Sequence, residues 1–145
     1  MARYLGTITL INLGLLYEDI EHFERAGRLD PGYAPAWAGL ANARIALALT
    51  RTTPPDSLMR EAKTAAYRAI AVDKDVAEAH AAKGVVEALC DFDWTAAEAS
   101  FKRAWDLDQK LPLIDQWHAL AISLPQGKIG EASKRIGHAQ RAEPT

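Results

Sequence analysis

The sequence predicts an all-α protein, a solenoid of about four helix–turn–helix units. Composition is the first reason. Of 145 residues 28 are alanine and only four are valine, and alanine is the strongest helix former whereas valine favours strands. The second reason is an internal repeat, which marks stacked helical units. Phe23-Glu24-Arg25-Ala26-Gly27-Arg28-Leu29-Asp30-Pro31 recurs as Ala66 through Lys74, as Phe101 through Gln109 and as Ile136 through Pro144. Ala26, Ala69, Ala104 and Ala139 share one column at spacings of 43, 35 and 35. Asp30, Asp73, Asp108 and Glu143 form a second column, and Asp19, Ala62, Ala97 and Ala132 a third, at the same spacings. One register places the units at residues 1–33, 34–76, 77–111 and 112–145 of a single domain.

Each element then follows from local signals. Arg3 precedes an apolar stretch to Leu16, but no small-x-small cleavage site follows, and Asn12 and Gly14 interrupt it. The stretch also falls short of the roughly 18 apolar residues that suggest a membrane span. It is read as a packed helix over 3–13, followed by one over 15–28 that stops before Asp30-Pro31. Helices over 34–50 and 55–72 flank a long turn, where Thr53 can cap and Pro54 can take the first helical position. Helices over 76–90 and 94–107 flank Asp91-Phe92-Asp93. Asp93 or Thr95 serves as cap there, with Glu98 three residues beyond Thr95. The last pair spans 112–124 and 128–142, around Leu124-Pro125-Gln126-Gly127.

Charge and cysteine exclude several functions. The chain carries 17 Lys and Arg against 19 Asp and Glu, a net charge of −2, without the clustered basic face that nucleic acid requires. Charge is nevertheless uneven: residues 1–72 sum to +1, 73–127 to −5 and 128–145 to +2. An acidic middle beside a basic end can steer a basic segment or a second copy of the chain. The single cysteine, Cys90, excludes an internal disulfide framework and reads as a buried thiol. With neither a secretion signal nor a membrane span expected, the chain is assigned to the cytoplasm.

Several columns resemble the tetratricopeptide repeat, whose 34-residue unit reads W-x2-L-G-x2-Y, then A-x3-F, then Pro. Ala97, Phe101 and Ala104 carry the second half, and Ala132, Ile136 and Ala139 a weaker form of it. Trp37 and Leu40 open the second unit, with Ala41, Gly84 and Ala119 at the small position. His80 and Asp115 stand in the tryptophan column, and Lys74 and Gln109 replace the terminal proline. Residues 23–43 and 92–108 look like the repeat tails of bacterial winged-helix transcriptional regulators and serine/threonine kinases.

The resemblance implies a right-handed superhelix in which the first helix of each pair lines a concave, peptide-binding groove. In the family's register that groove carries Pro35, Ala38, Asn42 and Ile45, then Glu78, Ala81 and Val85, then Leu113, Gln116 and Leu120. Asn42 matches an Asn of members that grip C-terminal carboxylates. Ala38 and Ala82 stand where that grip needs Lys or Asn, which argues against it here. The implied function is a non-enzymatic scaffold for a protein or peptide partner. The alternative is a regulatory or effector domain of a bacterial transcriptional regulator or kinase, acting through ligand binding or self-association.

The residues themselves carry no catalytic motif: GxSxG, a phosphate-cradling glycine loop, HExxH and CxxC are all missing. His22, His80, His118 and His138 do not fall at metal-ligand spacing with Cys90. Asp91 and Asp93 read as caps at a helix start, and Trp37, Trp94, Trp105 and Trp117 as core. No cofactor or metal is therefore expected. Tyr4, Ile8 and Ile11 at one end and Ile129 and Ile136 at the other leave apolar faces open. Such faces predict a weak homodimer through the terminal repeats.

Overall fold

The computed structural model describes residues 13–50 and 56–142; the helix expected over 3–13 and the Thr53–Pro54 cap lie outside them. The described chain is helical, with no strands: α1 (Leu13–Leu29), α2 (Ala34–Leu49), α3 (Asp56–Val72), α4 (Ala77–Leu89), α5 (Trp94–Leu107), α6 (Pro112–His118) and α7 (Ile129–Ala142). A π-helical turn, Ala119–Ser123, extends α6. Apart from that turn, helix ends fall within a residue or two of the expected positions.

Packing follows the alanine columns. Ala62, Ala97 and Ala132, and likewise Ala69, Ala104 and Ala139, are at most 1% exposed. A methyl-sized side chain at these points lets the second helix of a pair lie close against its neighbours. α2 packs on α1, α3 and α4, and α4 packs on α2, α3, α5 and α6. Both are therefore buried nearly all round, and α2 shows the corresponding lack of a polar face, from Ala34 to Ala48. Phe101 lies over Gly84, where a Cβ would stand 2.8 Å from the ring. No residue but glycine allows that approach.

The acidic column has a local cause. Asp30, Asp73 and Asp108 each accept the backbone N–H two residues on, at 3.1, 2.9 and 3.0 Å. Each is an Asx turn that ends the second helix of one unit and starts the next. At the α4–α5 turn, Asp93 is the cap and accepts from Ala96 N at 3.0 Å. Thr95 therefore does not form the box its spacing with Glu98 suggested; Glu98 reaches across to α6 instead. Cys90 corrects a second expectation, for it is exposed at the end of α4. Partial burial, aided by the Asp91 carboxylate, still pushes its thiol above the usual range, which favours the protonated form at neutral pH.

The register has a direct stability test. Ala104 is fully buried, whereas its neighbour Arg103 is exposed and ion-paired to Asp75 at 2.8 Å. Ala104→Leu should lose about 1–3 kcal/mol through overpacking. Arg103→Leu should lose less than about 1 kcal/mol, the usual worth of an exposed ion pair. Equal shifts in urea midpoint for the two variants would show the register to be misplaced.

Candidate functional site

The inner face formed by α2, α4 and α6 is the surface the repeat register assigns to a partner. The structure draws its residues together more tightly than that register implies. Ala38, Ile45, Ala81 and Val85 are at most 1% exposed and offer no contact surface; they are core between adjacent helices. Gln116 is also buried, at 7%. Asn42, Glu78, Leu113 and Leu120 are half-buried, and Pro35 is exposed. The accessible inner surface is thus a rim of Pro35, Glu78, Leu113 and Leu120 around a closed floor.

Asn42 and Trp117 close that floor. The Asn42 amide Nδ2 donates to Ala38 O at 2.9 Å and to Glu78 O at 3.0 Å. Its Oδ1 accepts the indole N–H of Trp117 at 2.8 Å. Since α6 and α2 each pack on α4, the indole spans the inner side of α4 to reach α2. Asn42 therefore joins three units instead of waiting for a ligand. Periodicity could not disclose this, because the bond connects residues 75 positions apart.

A second feature escaped the sequence reading. Between α5 and α7, with α6 as its floor, lies a cleft of about 620 Å³ bordered by Phe101, Trp105, Ile114, Asp115, Lys134 and His138. Asp115 is 4% exposed. Its carboxylate accepts from Arg135 Nη1 at 3.2 Å and from His138 Nδ1, both on α7. Arg135 also donates to Glu131 at 3.2 Å, and although partial burial opposes it, this guanidinium holds the Glu131 carboxyl below its usual range.

His118, one turn on from Asp115, lines the same cleft from the end of α6. It is 1% exposed, with Nε2 3.0 Å from Glu98 and Nδ1 3.1 Å from Ser123 Oγ. An ionised carboxylate can only accept, so Nε2 carries the proton and Nδ1 accepts from the serine hydroxyl. The π turn explains the second bond, because it brings residues five apart onto one face. Phe101 meets the imidazole edge-on, with centroids 5.2 Å apart.

Burial lowers the His118 pKa. The unfolded chain, with an ordinary imidazole near about 6.5, then binds more protons than the fold over the window below that value. Stability contributed by neutral His118 is full above the unfolded pKa and declines as pH falls toward the folded one. Thermal midpoints should fall between pH 7.5 and 5.5, and His118→Gln should flatten that slope. An equal slope in both proteins would remove His118 from the account.

Among the described residues no group of three or more His, Cys, Asp or Glu is placed to hold a metal ion. No described helix is long and apolar enough to cross a membrane.

Antiparallel helix pairs stacked in one register, with their first helices on a common inner face, define a helical-repeat solenoid. No family model matches the sequence, and no curated protein matches it either. The structure is similar to the crystal structure of a thermophilic tetratricopeptide-repeat protein of Thermus thermophilus, with a TM-score of 0.69. Sequence identity is 26%, over 93% of this chain and 69% of that one. The chain therefore has the tetratricopeptide-repeat fold, which suggests a scaffold for protein interaction.

Proposed function

We propose that the protein is a non-enzymatic scaffold that docks a segment of a partner protein across the rim of its inner face. The observation that carries this reading is the Asn42 junction. By tying α2, α4 and α6 together it fixes one rigid surface across three units, so a partner need not organise the site on binding. Pro35, Glu78, Leu113 and Leu120 supply its contacts, while Ala38, Ile45, Ala81, Val85 and Gln116 support them from below. A cytoplasmic location fits such a role.

Site-specific photo-crosslinking tests the reading. A photoreactive residue at position 78, on the rim, should yield a discrete adduct in cells of the source organism. The same group at Arg60, exposed on α3, should not. Adducts from position 60 alone, or from neither position, would contradict inner-face docking.

Self-association through α7 belongs to the same proposal. Ile129 is 68% exposed and Ile136 half-buried, while Tyr4, Ile8 and Ile11 lie outside the described residues. Sedimentation should show a weak dimer that Ile129→Glu abolishes. A clean monomer at high concentration would oppose it.

A further inference from the structure

The cleft between α5 and α7 occupies a place that the other units fill with their own rings. In the first such place, the Trp37 indole lies between α1 and α3. Gly27 on α1 leaves room for it, since a Cβ there would stand 2.7 Å from the ring. Arg68 on α3 stacks over the ring at 3.9 Å, and the indole N–H donates to Pro31 O at 3.0 Å. In the second place His80 takes over. It is 9% exposed, and its Nε2 pairs with Lys74 O at 2.7 Å, the same six residues back. Ile70 now stands in the Gly27 column and Arg103 in the Arg68 column.

The third place breaks the series. Asp115 holds the ring column, Trp105 the Gly27 column and His138 the Arg68 column. The carboxylate is smaller than either ring and turns to α7, where Arg135 and His138 satisfy it. Trp105 compensates only in part, because it remains 40% exposed on the cleft wall. What is left is the cleft of about 620 Å³ over Phe101 and Ile114, a volume within the roughly 300–1,000 Å³ of ligand sites.

Three full cations, Lys102, Lys134 and Arg135, line the cleft against two carboxylates, Glu98 and Asp115. The buried Asp115 charge is offset by Arg135, and the Glu98 carboxylate accepts from His118. Lys134 is exposed at the cleft and makes no ion pair with a described residue, while Lys102 reaches only the exposed Asp106.

We propose that this cleft docks an aromatic side chain carried on an acidic segment of a partner protein. The ring replaces the one that the repeat lacks at position 115, and flanking carboxylates meet Lys134 and Lys102. The site lies apart from the inner face and rests on the reading of the chain as a protein scaffold. Burial of an aromatic ring and complementary charge together give such contacts their strength and direction.

The test is a nuclear magnetic resonance titration of the 145-residue chain with a blocked pentapeptide, a central tryptophan flanked by glutamates. Saturable shifts should cluster at residues 98–105, 114–118 and 134–138. Affinity should fall at least tenfold when alanine replaces the tryptophan, and severalfold when lysines replace the glutamates or in Lys134→Glu. The double variant Trp105→Gly/Asp115→Trp, which copies the Gly27–Trp37 pair, should fill the cleft and lose binding. If that variant fails to fold, Ala99→Trp blocks the cleft from an exposed position and should lose binding as well. Unchanged affinity in a folded filled variant, shifts confined to α2 and α4, or no saturable shift would overturn the site. None of these outcomes touches inner-face docking, which the crosslinking at position 78 decides independently.

Discussion

Trp117→Ala is expected to destabilise the protein by about 3–5 kcal/mol, the usual range for truncating a buried aromatic side chain. Trp117 is 5% exposed, and its indole is the donor to Asn42 Oδ1. Truncation removes ring packing and also leaves that oxygen without its partner. Trp117→Phe separates the two effects. It keeps most of the apolar contact but not the N–H, so its cost should be nearer the roughly 1–3 kcal/mol of an unsatisfied buried polar group. Urea unfolding measures both. A loss below about 1 kcal/mol for the alanine variant, a surface-like value, would mean that α6 does not lie over α4 as described.

The second large effect concerns α5. Phe101→Ala should also cost about 3–5 kcal/mol, because the ring is 3% exposed, fits over Gly84 and meets the edge of His118. Trp105 sits one turn further along the same helix but is 40% exposed. Trp105→Ala should therefore cost far less, although tryptophan is the larger side chain. The order of the two thermal midpoints reads the helix's rotation directly. If Trp105→Ala were the more damaging change, α5 would be turned about its axis and the outer cleft would not exist as drawn.

These cases also show which features the sequence could disclose. The small-residue columns were legible because close helix approach recurs in every unit. Ala62, Ala97 and Ala132, like Ala69, Ala104 and Ala139, are buried as a periodic argument requires. The Asx turns at Asp30, Asp73 and Asp108 were visible as a column, and their role became clear from the bonds they accept. Function-bearing surfaces were less legible because they depend on departures from the repeat. The groove register picks out Pro35 and Glu78, which are accessible, yet it cannot show that Ala38, Ile45, Ala81 and Val85 are covered by neighbouring helices. That coverage comes from the packing of α2 on α4 and of α4 on α6, which the Asn42–Trp117 bond spans.

Asp115 illustrates the same limit from the other side. In the sequence it was a weak match to the tryptophan column. In the structure it is a buried carboxylate held by α7, beside a cleft. Reading the column together with the Gly27–Ile70–Trp105 column would have suggested it, because ring size falls in one as side-chain size rises in the other. The π turn after His118 had no such signal. Its consequence, the His118–Ser123 bond, comes from a tertiary arrangement that an α-helical period of 3.6 does not anticipate.

The central claim is that three helix pairs stack so that α6 reaches across α4 to α2, producing one continuous inner face. The most direct measurement is the nuclear Overhauser effect and solvent exchange of the Trp117 indole proton. A cross-peak from that proton to the Asn42 side-chain amide, with exchange much slower than that of the exposed Trp105 indole, is the predicted result. Rapid exchange of the Trp117 indole and no cross-peak to Asn42 would contradict the stacked architecture and the scaffold surface derived from it.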